Sequence, residues 1–320
     1  MMRALALGLV ALSSCALAQE APYPSKPLRF LVGQAPAGAT DIVARLVAAK
    51  ITEVIGQNIV VENRSGAAGS IAAAAVAKSA PDGYTVLVVS SSYSINPSLY
   101  SRLPFDPEKD LQPVSLLAEA PFLLVVHPSM PVSSVRDLIA LAKARPGSLA
   151  YGSGGNGSSG HLAGVLFENG AGVKLTHVPY KGTGQALVDV LGGQVPFMFA
   201  SVLSSTPHVK QGRLRMLAQT GAKRSSALPQ TPTMTEAGVP GYATTTWYGL
   251  LVPTGTRIGI VESLSTAAHS AVLSPEIRDR MRSDGADPIG STPEEFQKHI
   301  AREIAKWHKV VRSAGIAPES

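Results

Sequence analysis

Short apolar, β-branched runs recur at residues 28–32, 59–61, 86–89, 123–126, 149–151, 175–178, 195–199, 215–218 and 249–252, and each predicts a strand. Between the first two, Ile42, Val43, Leu46, Val47, Ile51, Val54 and Ile55 return at helical spacing, with Arg45 and Glu53 elsewhere. That spacing predicts an amphipathic helix. Alternation of strand and helix points to an α/β protein with mainly parallel sheets, its strands buried on both faces. The pattern comes in two blocks. The first runs to about Pro121, and residues 102–115, RLPFDPEKDLQPVS, read as a turn-rich connector leading out of it. The second runs from about Val126 to Thr245, with Ser133 or Ser134 placed to cap its first helix. A closing helix is predicted over TPEEFQKHIAREIAKWHKVVRSAG. The blocks share an architecture but no sequence repeat.

The chain has 320 residues, 45% hydrophobic and 16% charged, which is ample material for packed cores. Residues 1–18 are expected to be a signal peptide: Arg3 precedes an apolar run ending at Leu12, and Ala16, Leu17 and Ala18 form a small-residue cleavage site. That run is too short to span a bilayer, and no later segment offers eighteen uncharged apolar residues. The expectation is export to the periplasm as a soluble protein. Cys15, the single cysteine, lies in this leader, and Leu12-Ser13-Ser14-Cys15 also fits a lipoprotein cleavage site that would leave a lipid anchor on Cys15. Cleavage after Ala18 instead leaves no thiol, which excludes disulfides, zinc–thiolate sites and cysteine nucleophiles. The formal charge of +6 is spread without a Lys/Arg cluster, and aromatics make up only 5%. Nucleic acid is therefore not an expected partner, whereas attraction of small anions is.

In sheets of this kind ligands lie beyond the carboxyl ends of the strands. The loops there are GQAPAGATD at 33–41, SSSYSINPSLY at 90–100, GSGGNGSSGH at 152–161, PYKGTGQA at 179–186 and ASVLSS at 200–205. They are rich in Gly, Ser, Thr and Asn and poor in charge. Free amides at the following helix starts carry a partial positive field that favours a carboxylate or phosphate. Residues 152–157 spell G-x-G-x-x-G, but a dinucleotide site wants an acid at the end of the next strand. Here that strand ends THVPYKG, and Glu168 lies in the intervening helix. G-x-S-x-G, H-E-x-x-H and the P-loop pattern do not occur, and the seven histidines show no ligand spacing. No cofactor, metal site or catalytic machinery is expected. Any one of these loops is compatible with an ordinary surface turn. As a set in two blocks they predict a cleft between hinged domains that holds a small carboxylate.

Ordered motifs run through nearly all of the chain after the leader: YPSKP at 23–27, PAGATDIVAR at 36–45, GQNIVVENRSGAAGSIAA at 56–73, APDGYTVLV at 80–88 and INPSLY at 95–100. They continue with HLAGVLF at 161–167, VPYKG at 178–182, LGGQV at 191–195, PTMTEAGVPGY at 232–242 and WYGLLVPTGT at 247–256. In these the sequence resembles the Bug-type substrate-binding proteins of tripartite tricarboxylate transporters. The resemblance implies a two-domain periplasmic-binding-protein (Venus flytrap) fold, type II-like, with residues 19–122 plus 246–320 as one domain and 123–245 as the other. It implies a monomeric receptor, not an enzyme, that captures a small organic acid and delivers it to a membrane permease. The implied contacts are Pro36, Gly38, Ala39 and Thr40 in the first loop, Ser91, Ser92 and Tyr93 in the next, then Gly154, Asn156, Ser158, Ser159 and His161 from the other domain, with Ala200 and Ser201. Asp41, also in the first loop, is expected to cap its helix rather than touch the anion. Two positions depart from the family pattern. Tyr93 stands where a histidine is frequent, and Ala200 where an aspartate is frequent. Without that aspartate a ligand ammonium has no partner, so the expected ligand lacks an amine and is an aromatic or dicarboxylic acid contacting Tyr93; both positions are also compatible with lying merely near the site. Two other readings remain open. One is a carboxylate sensor presenting its closed form to a signalling partner, and the other is an exported enzyme, disfavoured by the missing catalytic groups.

Overall fold

The computed structural model describes residues 23–225 and 228–313. The expected leader, residues 1–18 with Cys15, lies outside the described residues. The chain runs through β1 (Leu28–Val32), α1 (Ala39–Ile55), β2 (Ile59–Asn63), a 3-10 turn (Ala67–Gly69), α2 (Ser70–Ala77), β3 (Thr85–Ser90), α3 (Ser92–Leu99) and β4 (Leu111–Val126). It continues with α4 (Val135–Ala144), β5 (Ala150–Ser153), α5 (Ser159–Ala171), β6 (Thr176–Pro179), α6 (Thr183–Leu191), β7 (Phe197–Ser201), α7 (Val202–Lys210) and β8 (Arg215–Gln219). The last elements are β9 (Thr245–Pro253), α8 (Ile258–Leu273), α9 (Pro275–Ser283), β10 (Asp287–Pro288) and α10 (Pro293–Ser313).

The strands form one continuous sheet in the order β2-β1-β3-β9-β4-β7-β5-β6, with β8 and β10 also paired to β4. Parallel pairing holds inside the strand–helix–strand units, where β1 pairs β2 and β3, and β5 pairs β6 and β7. The sheet as a whole is mixed, not mainly parallel, because β4 and β9 run against their neighbours. Both strands belong to the passages that carry the chain from one half of the molecule to the other. Along β4, Leu111 to Pro121 pair with β9, while Phe122 to Val126 pair with β7 and β8. The handover at Pro121 and Phe122 divides the sheet into two lobes.

Strand β4 also corrects the reading of residues 102–115 as a connector, since its last five residues already lie in the strand. Pro113 hides it: proline donates no ladder bond and marks a bulge, and the register with β9 shifts between Pro113 and Ser115. The cap on α4 falls on Ser134, whose hydroxyl accepts from the Asp137 amide while the Asp137 carboxylate accepts from the Ser134 amide, a reciprocal capping box.

Each lobe has its own apolar centre. Trp247, Phe296, Ile300 and Ile304 lie at the heart of one, and Phe167, Phe197, Phe199 and Tyr242 of the other. Helix α10 is the outer cover of the first lobe, and its Phe296 ring seats directly on Gly249 of β9, where any Cβ would collide with the ring. Replacing Gly249→Ala therefore forces Phe296 off its seat and should cost about 1–3 kcal/mol. Urea unfolding is expected to show that loss with no change in m-value; an unaltered midpoint would mean that α10 yields freely.

Candidate functional site

A cavity of about 350 Å³ lies between the lobes. Six helices begin at its wall: α1 with Gly38, Ala39 and Thr40, α2 with its N-cap Gly69, α3 with Ser92, α5 with Ser158, Ser159 and Gly160, α6 with Gly182 and Thr183, and α7 with its N-cap Ser201. The parallel units explain why. A strand that runs toward the cleft must hand over to a helix that runs away from it, so the helix amino end is left at the cleft. At the starts of α1 and α6 the N-caps are Gly38 and Gly182, with no capping side chain to occupy the first amides. Those amides carry the positive end of the helix dipole.

The rest of the lining is neutral. Ser90, Thr246, Tyr248, Asn156 and Gln34 add polar groups, and Phe122, Tyr100, Tyr180 and Pro179 add apolar surface. Among the described residues no Asp or Glu lines the cavity, and Lys181 is its single formally charged side chain. Burial pushes the Tyr248 hydroxyl up to about 12, so it stays a neutral group, and it pairs with Ser201 Oγ at 3.0 Å. Such a wall stabilises an anion without leaving an unpaired charge when the anion departs.

Two loops of the first lobe are held in costly backbone conformations. Ala37, Ala67 and Ala68 have φ of 62°, 45° and 49°, and among the described residues no other non-glycine residue has positive φ. Each costs on the order of 1–3 kcal/mol. Residues 66–69 line the cavity, and Ala37 directly precedes Gly38. Asp41 braces the turn at Ala37. Its carboxylate accepts from the Ala37 amide at 3.0 Å, from Arg45 Nε at 3.0 Å and from Asn63 Nδ2 at 2.9 Å. Burial works to raise the Asp41 pKa, but the Arg45, Asn63 and Ala37 hydrogen bonds outweigh it and hold the carboxyl below its ordinary value. Asp41 thus stays ionised beneath the loop and does not face the cavity.

Of the residues expected at the site, Gly38, Ala39, Thr40, Ser92, Gly154, Asn156, Ser158, Ser159 and Ser201 line the cavity, whereas Pro36, Asp41, Ser91, Tyr93, His161 and Ala200 do not. Asp41 is not the cap of α1 either, since the N-cap is Gly38 and no side chain caps it. Tyr93 points the other way: its hydroxyl donates to the Pro107 carbonyl at 2.6 Å and its ring stacks on Phe105. A ligand contact at Tyr93 is therefore replaced by a packing role. Ala200 is buried opposite Leu123 within the β7–β4 pair. Ser91 sits behind the wall, where its fully buried hydroxyl joins Ser159 Oγ of the other lobe at 2.6 Å and Thr246 Oγ1 at 3.1 Å. Pro36 lies on the rim, where a methyl added at Gly184 would come within 3.2 Å of its carbonyl oxygen. Sequence reasoning assigned no site role to the 66–69 turn, Tyr100, Phe122, Tyr248 or Lys181. Only the GAAG run and the KG of VPYKG carried a local signal.

His161 supports the second lobe's loop from behind. Its Nδ1 accepts from the Gly157 amide at 3.2 Å, its ring stacks on His177 at 4.0 Å and 12°, and His177 Nε2 pairs with Ser153 Oγ at 2.6 Å. Burial lowers the His161 pKa to about 4, and burial together with His161 lowers that of His177 to about 3. Both rings are neutral at pH 7, whereas in the unfolded chain each takes up a proton below about 6.5. Their contribution to stability is thus complete above about pH 6.5 and is lost as the pH falls toward 4 and then 3. Urea unfolding between pH 7 and 4.5 is expected to show this decline, and a His177→Gln chain a shallower one. Equal slopes would show that the pair does not titrate on unfolding.

Comparison with known proteins gives this geometry a family. Residues 43–316 match the family model of the tripartite tricarboxylate transporter family receptor, TctC. Protein BugT of Bordetella pertussis (strain Tohama I) is 38% identical over 295 residues, covering 92% of this chain and 90% of that protein. An R. palustris protein solved with adipate is 42% identical with a TM-score of 0.90, over 93% of this chain and 100% of that one. MatC from Rhodopseudomonas palustris, solved with bound malate, is 32% identical with a TM-score of 0.86, over 90% and 100% of the respective chains. The fold is therefore the two-domain periplasmic-binding-protein fold, with a curled mixed sheet, and the family is one of non-catalytic receptors. This chain belongs to the tripartite tricarboxylate transporter receptor family, whose members are periplasmic solute-binding receptors for small organic carboxylates.

Proposed function

We propose that this receptor captures a small dicarboxylate without an amine, closes on it, and hands it to the membrane permease of a tripartite transporter. One observation carries the reading: six helix amino ends and a neutral hydroxyl wall face a cavity whose described lining holds no carboxylate. An amino acid would bury its ammonium there without a counter-charge, a cost of several kcal/mol. The adipate and malate in the related structures support ligands of this class. The cavity lies at the small end of the range for ligand sites, about 300–1,000 Å³. That suits a short organic acid.

In this reading residues 19–122 with 246–320, and 123–245, move as two bodies about the paired crossings at Pro121 and Thr245. The ligand shifts the equilibrium toward closure because only the closed form offers it amides from both bodies. Pro36, Gly38, Ala39 and Thr40 act from one side and Gly154, Asn156, Ser158 and Ser159 from the other, with Pro36 contributing through the loop it shapes. Asp41, Ser91, Tyr93, His161 and Ala200 are supports. The leader delivers the protein to the periplasm, with lipid attachment at Cys15 as the alternative end; the mass of the exported chain tells cleavage after Ala18 from lipidation. No helix among the described residues is long and apolar enough to cross a membrane.

Isothermal calorimetry with succinate, adipate and malate is expected to give saturable binding, and aspartate and glutamate at least tenfold weaker binding. Tight binding of aspartate with none of the dicarboxylates would end the proposal. A Ser158→Asp chain tests the site itself. Aspartate is as good an N-cap as serine, so the bond from the His161 amide is kept and the chain should still unfold in one cooperative urea transition. The added charge beside the ligand should still weaken dicarboxylate affinity at least tenfold, about 1.4 kcal/mol or more. Unchanged affinity would show that the ligand lies elsewhere.

A further inference from the structure

We propose that Lys181 is the residue by which this site prefers dianions to monoanions, its ammonium holding the ligand's second carboxylate at the mouth of the cavity. This rests on the reading of the cavity as a carboxylate site and adds to it the origin of its charge preference.

Three observations support it. First, the rest of the described lining is formally neutral and Lys181 alone carries a charge. Second, Lys181 has no structural use for that charge. It is exposed, and among the described residues it makes no hydrogen bond or ion pair; the carboxylate of nearby Asp189 instead accepts the Tyr180 hydroxyl at 2.6 Å. Third, its place is the seam between the lobes. Gly182, the next residue, caps α6 and sits so close to the opposite lobe that an added methyl would lie 2.7 Å from Ala35 Cβ. A side chain at 181 is therefore at the entrance of the cleft and yet part of its lining.

The physical need for such a group follows from the neutral wall. Helix-end amides carry only partial charge, about half an elementary charge per helix, and their effect fades within the first turn. They can hold one carboxylate well. A second carboxylate brought into the same low-dielectric space is repelled by the first, and a fixed dipole cannot compensate for it fully. A lysine ammonium is a compact charge on a flexible four-carbon stem. It can follow the far end of ligands that differ in length, so selection acts on charge more than on chain length. It also supplies a local positive field at the mouth, which speeds the approach of anions in a salt-dependent way.

The test uses the processed protein with adipate and monomethyl adipate, which share a carbon skeleton and differ by one charge. In Lys181→Gln, adipate affinity is expected to fall about tenfold at low ionic strength, with the association rate falling several-fold, while monomethyl adipate affinity changes less than twofold. The adipate loss should shrink as salt is raised, the unfolding midpoint should not move, and Lys181→Arg should keep most of the preference. An equal loss for both ligands would overturn the proposal, because it would mark a role in loop geometry. No loss for either overturns it too, as does a Lys181→Arg chain that loses the preference as fully as Lys181→Gln. These outcomes are separable from failure of the receptor reading, which would appear as no binding of either ligand by the unsubstituted protein.

Discussion

The structure depends on one constraint: strands that run toward a common cleft must give way to helices that run out of it. Each such handover leaves unpaired amides at the cleft, and in this chain six of them face one cavity. An amide has a direction but no full charge. In the proposed reading the site attracts an anion through oriented dipoles that are already in place, with little reorganisation when the ligand enters and little penalty when it leaves. Stronger, fully charged pairing would leave a buried unpaired ion in the empty state. A receptor that must release its cargo is better served by the neutral arrangement, with Lys181 at the rim the one charged side chain among the described lining residues.

Holding amides in place has its own cost, and it falls on the loops. Ala37, Ala67 and Ala68 occupy left-handed backbone, and Asp41, Asn63 and Arg45 form the charged brace beside Ala37. The brace lies under the loop, so its carboxylate rigidifies the anion site without facing it. In the other lobe His161 and His177 do the equivalent work with neutral rings stacked beneath residues 154–158. One support is charged and the other neutral, yet both keep full charge away from the lining.

The lobes meet on both flanks of the cavity. On one side Gly182 and Gly184 lie against Ala35 and Pro36; on the other Gly157, with φ of 71°, lies over Leu99, and Ser91 bonds Ser159. Glycine is needed at these seams because a Cβ would hold the lobes apart. The Ser91 hydroxyl also reaches Thr246, one residue along from the crossing at Thr245. A contact between lobes is thereby tied to the strand that joins them, and in the proposed reading this couples closure to the wall that would receive the ligand.

Much of this was legible in the sequence, and what was not has physical causes. Strands buried on both faces give continuous apolar runs, so β1 was placed to the residue and the other eight predicted strands overlap observed ones. The first part of β4 was hidden by Pro113 and by the charged turn before it. Its pairing with β9, which makes the sheet mixed, is a relation between residues more than a hundred positions apart and leaves no local trace. The donor-rich loops were legible as a set, because Gly, Ser and Thr at strand ends announce free amides. Which way each side chain turns was not. Tyr93 lies one residue beyond Ser92, which faces the cavity, yet a helix rotates successive positions by about 100°, and the Tyr93 ring is carried round to Phe105. The same geometry takes Asp41 and His161 behind their helix starts. Position in a loop thus told which amides are available, and only the helical rotation that follows decides which side chains accompany them.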